Sequence, residues 1–137
     1  MSVNAYVNFK GNCLKAVEFY SQVFGSESPE IMFYGDAPPD SGFTVPNDQK
    51  QLVMHTALDI CGTTVMFSDL LPGESLTQGN NISLVVMQKN LDELKTIFNR
   101  LKDGGTVDVE LQKTFFSKCY GSLTDKFGII WQFMYDA

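Results

Sequence analysis

The chain changes its hydrophobic period once near its start. Val3, Ala5, Val7 and Phe9 alternate with Asn4, Tyr6 and Asn8, a two-residue repeat that predicts a strand with one apolar and one polar face. From Cys13 onward the spacing lengthens. Cys13, Ala16, Val17, Tyr20, Val23 and Phe24 recur at three- and four-residue steps, which gathers them on one side of a helix. Asn12 stands where an N-cap belongs, with a side-chain oxygen suited to accept from a first-turn N–H. Gly25 stands where a left-handed residue closes a helix.

The same order returns further on. Residues 81–88, NISLVVMQ, read as a strand, and Asn90 with Glu93 forms an Asn version of the capping box. Leu91, Leu94, Ile97, Phe98 and Leu101 make the apolar stripe, and Gly104-Gly105 ends it. When the two N-caps are superposed, Phe19 falls on Ile97, Tyr20 on Phe98 and Val23 on Leu101. After the first helix come EIMFYG, QLVMHTALDI and TTVMFSD, with a hairpin signal at Cys61-Gly62. After the second come TVDVELQKTF, KCYGSLTD and IIWQFMY, with turns near Ser117 and Phe127-Gly128. Each half therefore reads β-α-β-β-β. Two stretches break the regularity: the Pro-, Gly- and Asp-rich residues 35–50, and LPGESLTQGNN at 71–81, which joins the halves.

Composition narrows the classes of function. The formal charge is −6, with ten basic and sixteen acidic residues, and the basic residues are scattered rather than striped. That balance disfavours a nucleic-acid backbone or an anionic membrane surface as partner. The N-terminus lacks the basic, apolar and cleavage regions of a secretory signal, which points to the cytoplasm. Cys13, Cys61 and Cys119 show no CxxC pair or zinc-like spacing and read as free, partly buried thiols in a reducing compartment. There is no GxGxxG, P-loop, HExxH or GxSxG motif, so neither a dinucleotide site nor the glycine-rich turn of a typical methyltransferase is supported.

Three segments in order, YVNFKGNCLKAVEFYSQVFG, MHTALDICGTTVMFSD and YGSLTDKFGIIWQF, resemble the vicinal oxygen chelate superfamily of glyoxalases, bleomycin-resistance proteins and dioxygenases. The resemblance is to its PhnB-like branch, whose members are often described as 3-demethylubiquinone-9 3-methyltransferase-like. It implies an α+β fold of two β-α-β-β-β modules whose curved mixed sheets surround a cavity. It also implies a single domain over 1–137, with module 1 at 1–71, a linker at 72–79 and module 2 at 80–137. Many superfamily members hold one divalent cation through His, Glu or Gln on the first and last strands of each module. Here the matching positions are Asn4, Met66, Asn81 (or Ser83) and Gln132. Amides and a thioether, with no carboxylate or imidazole, offset the dehydration of a hard cation poorly. The expectation is no metal ligand set and no cofactor.

Strand alternation puts His55, the one histidine, on a face with Val53, Ala57 and Asp59. It suits either a general base or hydrogen-bonding group for a ligand, or a half-buried residue bonded to a neighbouring strand. Tyr6, Asn8, Tyr120 and Gln132 are candidates for the few polar groups that orient a ligand in an apolar pocket, or are ordinary sheet polarity. Trp131 and Phe133 should pack against the helices, and the other phenylalanines and Met32, Met54, Met66, Met87 and Met134 should fill the interior. Asp125, in LTDKFG, reads as a turn-forming carboxylate, and Asp59 and Asp69 as strand-end or surface acids. The expected function is binding of a small, partly apolar molecule, with catalytic residues unassigned and a homodimer expected, since open apolar sheet edges favour association. The alternatives are a metal-dependent lyase or oxidoreductase of the superfamily and a non-catalytic partner-binding dimer.

Overall fold

The computed structural model describes every residue except Phe43, which lies in the loop read at 35–50. The chain divides into two compact units, Met1–Thr77 and Gln78–Ala137.

The first unit contains β1 (Tyr6–Phe9), α1 (Cys13–Phe24), β2 (Met32–Phe33), β3 (Val53–Ile60) and β4 (Thr63–Asp69). Its sheet has the order β1-β4-β3-β2, with β1 parallel to β4 and the other pairs antiparallel. The second unit contains β5 (Leu84–Gln88), α2 (Leu91–Leu101), β6 (Thr106–Gln112), β7 (Tyr120–Thr124) and β8 (Ile130–Tyr135). Its order is β5-β8-β7-β6, again with only the first pair parallel. The α+β class and the repeated β-α-β-β-β order are those the hydrophobic periods predict.

Each helix covers one face of its own sheet. Cys13, Ala16, Val17, Tyr20 and Val23 are buried on α1, and Leu94, Ile97, Phe98 and Leu101 on α2. Tyr20 stacks on Phe67 of β4 at 5.7 Å between centroids, and Phe98 meets Phe133 of β8 edge-on at 5.1 Å. Burying each large side chain contributes about 1.5–3 kcal/mol, far more than helix propensity supplies for helices this short. Trp131 and Phe133 lie in this core, 1% and 0% exposed, as alternation predicts.

Several local expectations need correction. β1 begins at Tyr6 rather than Val3, and Val3 is fully exposed. β2 shrinks to two residues before the chain turns into a 3-10 segment at Tyr34–Asp36. The hairpin at Cys61-Gly62 forms as read, with φ of 51° and 86°. Two left-handed residues in succession match the twist of the flanking strands. Gly25 closes α1 at φ 63°. Phe115, Phe116, Met32 and Met87 are exposed rather than interior. Their strands or loop present them away from the helix that supplies the core.

The two helix starts differ. Asn90 caps α2 as expected, its Oδ1 accepting from Glu93 N–H at 3.0 Å. The reciprocal half of the box comes from Gln88, whose Oε1 accepts from Asn90 N–H at 3.2 Å. Asn12 makes no side-chain cap bond. The carboxylate of Asp69, at the end of β4, accepts from Cys13 N–H instead, at 3.1 Å. Asn90→Ala is therefore expected to cost about 1 kcal/mol, and Asn12→Ala less than about 0.5 kcal/mol. Urea denaturation of the two variants measures the difference; equal losses would contradict the reassigned cap.

Candidate functional site

The faces turned away from the helices carry the polar residues singled out in the sequence. In the first unit Tyr6 pairs with Met66 and Asn8 with Ser68 across β1 and β4, and Met66 pairs with Ala57 on β3. One step along the β3–β4 ladder from the pair Thr56–Phe67, His55 stands opposite Ser68. Tyr6 Oη lies 3.3 Å from His55 Nδ1, the donor being set by the imidazole tautomer, and the rings are tilted at 5.8 Å. Ser68 Oγ donates to Asn8 Oδ1 at 2.9 Å. Tyr6, Asn8, His55 and Met66 are therefore neighbours on one surface. Ser68, only 6% exposed, belongs with them and was missed, although it stands two residues beyond Met66 in the same alternation.

In the second unit β5 and β8 pair Val85 with Gln132, and β7 and β8 pair Ser122 with Gln132. Gln132 Oε1 accepts from Tyr120 Oη at 2.8 Å, and its Nε2 donates to Ser83 Oγ at 2.7 Å. Both ends of the amide are thus fixed, a chain of three side chains running across the sheet. Val85 and Met87 stand beside it, 47% and 51% exposed.

The two registers settle which positions correspond. Tyr6 faces Met66 as Val85 faces Gln132. Asn4 and Ser83 each stand two residues upstream, so Ser83, not Asn81, is the counterpart of Asn4. Asn81 is exposed ahead of β5 and apart from the Gln132 chain. Superposing the helix caps would put Asn4 over Ile82, one residue short of Ser83, because three residues separate β1 from α1 and two separate β5 from α2.

In neither unit do the side chains at the positions matched to the superfamily's metal ligands suit a tightly bound divalent cation. Asn4 donates through Nδ2 to Thr64 O at 2.9 Å and accepts from Ser2 Oγ, Met66 offers a thioether, and Gln132 is bonded at both ends. Among the described residues, no three His, Cys, Asp or Glu side chains are grouped so as to hold a metal ion. Neutral donors already committed to the protein compensate poorly for stripping water from a doubly charged ion.

Two buried acids hold the framework. Asp69, 2% exposed, accepts through Oδ1 from Gly11 and Cys13 N–H at 2.8 and 3.1 Å, and through Oδ2 from Val53 N–H at 2.9 Å. The expected surface alternative is thereby corrected; it is a strand-end acid buried among backbone donors. Asp125, 3% exposed, accepts from Phe127 and Ile129 N–H at 2.8 and 3.1 Å and from Trp131 Nε1 at 2.9 Å, the turn-forming role its sequence context indicates. Cys13 and Cys119 are buried and Cys61 is exposed. Burial, reinforced by Asp69, pushes the Cys13 thiol well above the usual range, which removes it as a nucleophile. The Tyr34 phenol is also raised, first by burial and then by Glu74, Tyr6 and Asp69, and its hydroxyl donates to Asp69 O at 3.1 Å.

An open cleft of about 670 Å³ lies elsewhere in the first unit, where residues 24–29 face the β3–β4 hairpin. None of the eight candidate residues lines it. Among the described residues, no helix is long and apolar enough to cross a membrane.

Comparison with known proteins agrees with this architecture. Protein YjdN of Escherichia coli is 28% identical over 96% of this chain and 92% of its own length. The crystal structure of protein PA1353 from Pseudomonas aeruginosa is 29% identical, covers 99% of this chain and 98% of that one, and superposes with a TM-score of 0.85. At 15% identity, a mutant of the fosfomycin resistance protein FosX from Listeria monocytogenes, complexed with Mn(II) and 1S,2S-dihydroxypropylphosphonic acid, shares the fold with a TM-score of 0.66. That match covers 100% of this chain and 92% of FosX. A sequence profile matching residues 2–134 shows that the chain belongs to the family described as 3-demethylubiquinone-9 3-methyltransferase.

Proposed function

We propose that this chain is a PhnB-like, cytoplasmic protein whose two modules act as one glyoxalase-like domain, binding a small, partly apolar molecule without a tightly held metal. The observation that carries this reading is the Gln132 amide. It is fixed at both ends by Tyr120 and Ser83 and set beside the half-exposed Val85 and Met87. A pre-oriented polar group in apolar surroundings is what a ligand face uses to fix orientation. The Tyr6–His55 pair supplies a comparable polar element in the first module. His55 adds ring nitrogens that can donate or accept a hydrogen bond, one of them already set against Tyr6 Oη at 3.3 Å.

Binding is tested by thermal shift with a panel of apolar drug-like and quinone-like compounds. A compound that raises the Tm of the parent chain should lose about tenfold in affinity in Gln132→Ala, because the ligand gives up its fixed partner. Gln132→Glu keeps the shape and should retain part of the shift for ligands that donate. Equal shifts in all three proteins would refute the assignment of Gln132. Elemental analysis of the purified chain finding near-stoichiometric manganese, iron, nickel or zinc would replace this reading with the metal-dependent lyase or oxidoreductase.

The half-exposed apolar side chains Met32, Val85 and Met87 also support a homodimer. Light scattering at micromolar concentration should give twice the chain mass; a monomer would remove that part of the proposal.

A further inference from the structure

The connection between β6 and β7 reads Lys113-Thr114-Phe115-Phe116-Ser117-Lys118. It is a braced turn. Thr114 N–H donates to Ser117 O at 2.9 Å, Ser117 N–H donates to Thr114 Oγ1 at 3.1 Å, and Ser117 Oγ donates to Cys119 O at 2.9 Å. These bonds fix the backbone on either side of two aromatic rings that gain nothing from the core. Phe115 is 101% exposed and Phe116 54%. The rings meet edge-on at 5.2 Å, and Phe116 meets Tyr120 edge-on at 5.1 Å. Tyr120 in turn donates to Gln132, so aromatic surface runs unbroken from the turn to the fixed amide.

The same six residues line an open cleft of about 290 Å³. Lys113 and Lys118 are exposed, and neither ammonium has an ion-pair partner among the described residues. On a chain of net charge −6, two lysines on one turn place cationic charge where an anion could be drawn to it.

We propose that this turn is the outer wall of the ligand face and that it takes a planar aromatic anion. The ring packs on Phe115 and Phe116, and the acid group lies toward Lys113 and Lys118. Exposed phenyl faces and edges favour a flat π-system through offset or edge-on contact, and a lysine ammonium serves a carboxylate or sulfonate as a point charge. The inference rests on the Gln132 face being the ligand face and adds the chemical class of the ligand.

The test uses the full chain and 2-naphthoate, titrated calorimetrically at low salt beside neutral 2-naphthamide and non-aromatic cyclohexanecarboxylate. The expected result is measurable binding of 2-naphthoate, at least about tenfold tighter than either comparator. Phe115→Ala/Phe116→Ala should weaken it about tenfold. Lys113→Gln/Lys118→Gln should weaken it and flatten its salt dependence. All four positions are exposed or half-exposed, so the Tm should stay within about 3 °C. No binding of 2-naphthoate, equal binding of 2-naphthamide, or no effect of the phenylalanine pair would each overturn the proposal. So would a fall in oligomeric mass on losing the phenylalanines without loss of binding, which would make the turn a contact between two copies. If Gln132→Ala abolishes binding while the turn variants do not, the turn is wrong and the Gln132 reading stands. The reverse result keeps the turn as the anion site and removes Gln132.

Discussion

Replacing Asp69 by asparagine is expected to destabilise the chain by about 3 kcal/mol, or roughly 10 °C in Tm. The carboxylate joins the β1–α1 connection to the start of β3 by accepting from Gly11, Cys13 and Val53 N–H. At 2% exposure, water does not take over those donors. An asparagine has one oxygen and one N–H₂ group. In the native rotamer it keeps the two bonds of Oδ1 and turns its own donor on Val53 N–H. Flipped, it leaves two donors facing donors. Either way the charge assistance is lost and buried N–H groups go unpaired, each at about 1–3 kcal/mol. Amide exchange should quicken at Gly11, Cys13 and Val53 together, although they lie in separate parts of the sequence. A Tm within about 2 °C of the parent would refute the assignment of Asp69 as the common acceptor.

Asp125→Asn should cost about 2–3 kcal/mol by the same reasoning, with an optical signature of its own. Asp125 Oδ2 accepts from the indole of Trp131, and Oδ1 accepts from Phe127 and Ile129 N–H. Trp131 is the one tryptophan and is 1% exposed. Its emission therefore reports this contact without interference. The substitution sets an N–H₂ against the indole N–H and loosens the turn that aims β8. Since Gln132 follows Trp131 directly, ligand affinity should fall alongside stability. An unchanged emission spectrum and unchanged urea midpoint would show that the indole finds its partner elsewhere.

The candidate site was only partly legible in the sequence. Strand parity alone placed Tyr6 and Asn8 on the face opposite Phe9, and Gln132 opposite Trp131 and Phe133, because a two-residue period leaves no other choice once one face is buried. Parity does not say which residues on neighbouring strands meet. The Tyr6–His55 approach depends on the parallel β1–β4 register and the antiparallel β3–β4 register together. The Tyr120–Gln132–Ser83 chain depends on three strands. Superposing the helix caps puts Asn4 over Ile82 rather than Ser83, because one connection is a residue shorter than the other.

Asn12 and Asp69 make the same point for stability. An asparagine ahead of an amphipathic helix is a sound local cap, yet a buried carboxylate from a strand far along the chain takes the first-turn N–H, since a charged acceptor forms the stronger bond. By itself the sequence determined the class of each element, the twofold β-α-β-β-β order and the helix-facing core. All of these follow from periodicity, capping residues and side-chain chemistry, which act over a few neighbouring residues. Only the tertiary structure decided which polar groups touch, which acids are buried and which aromatics are left in water, because those outcomes depend on register and on contacts between residues distant along the chain.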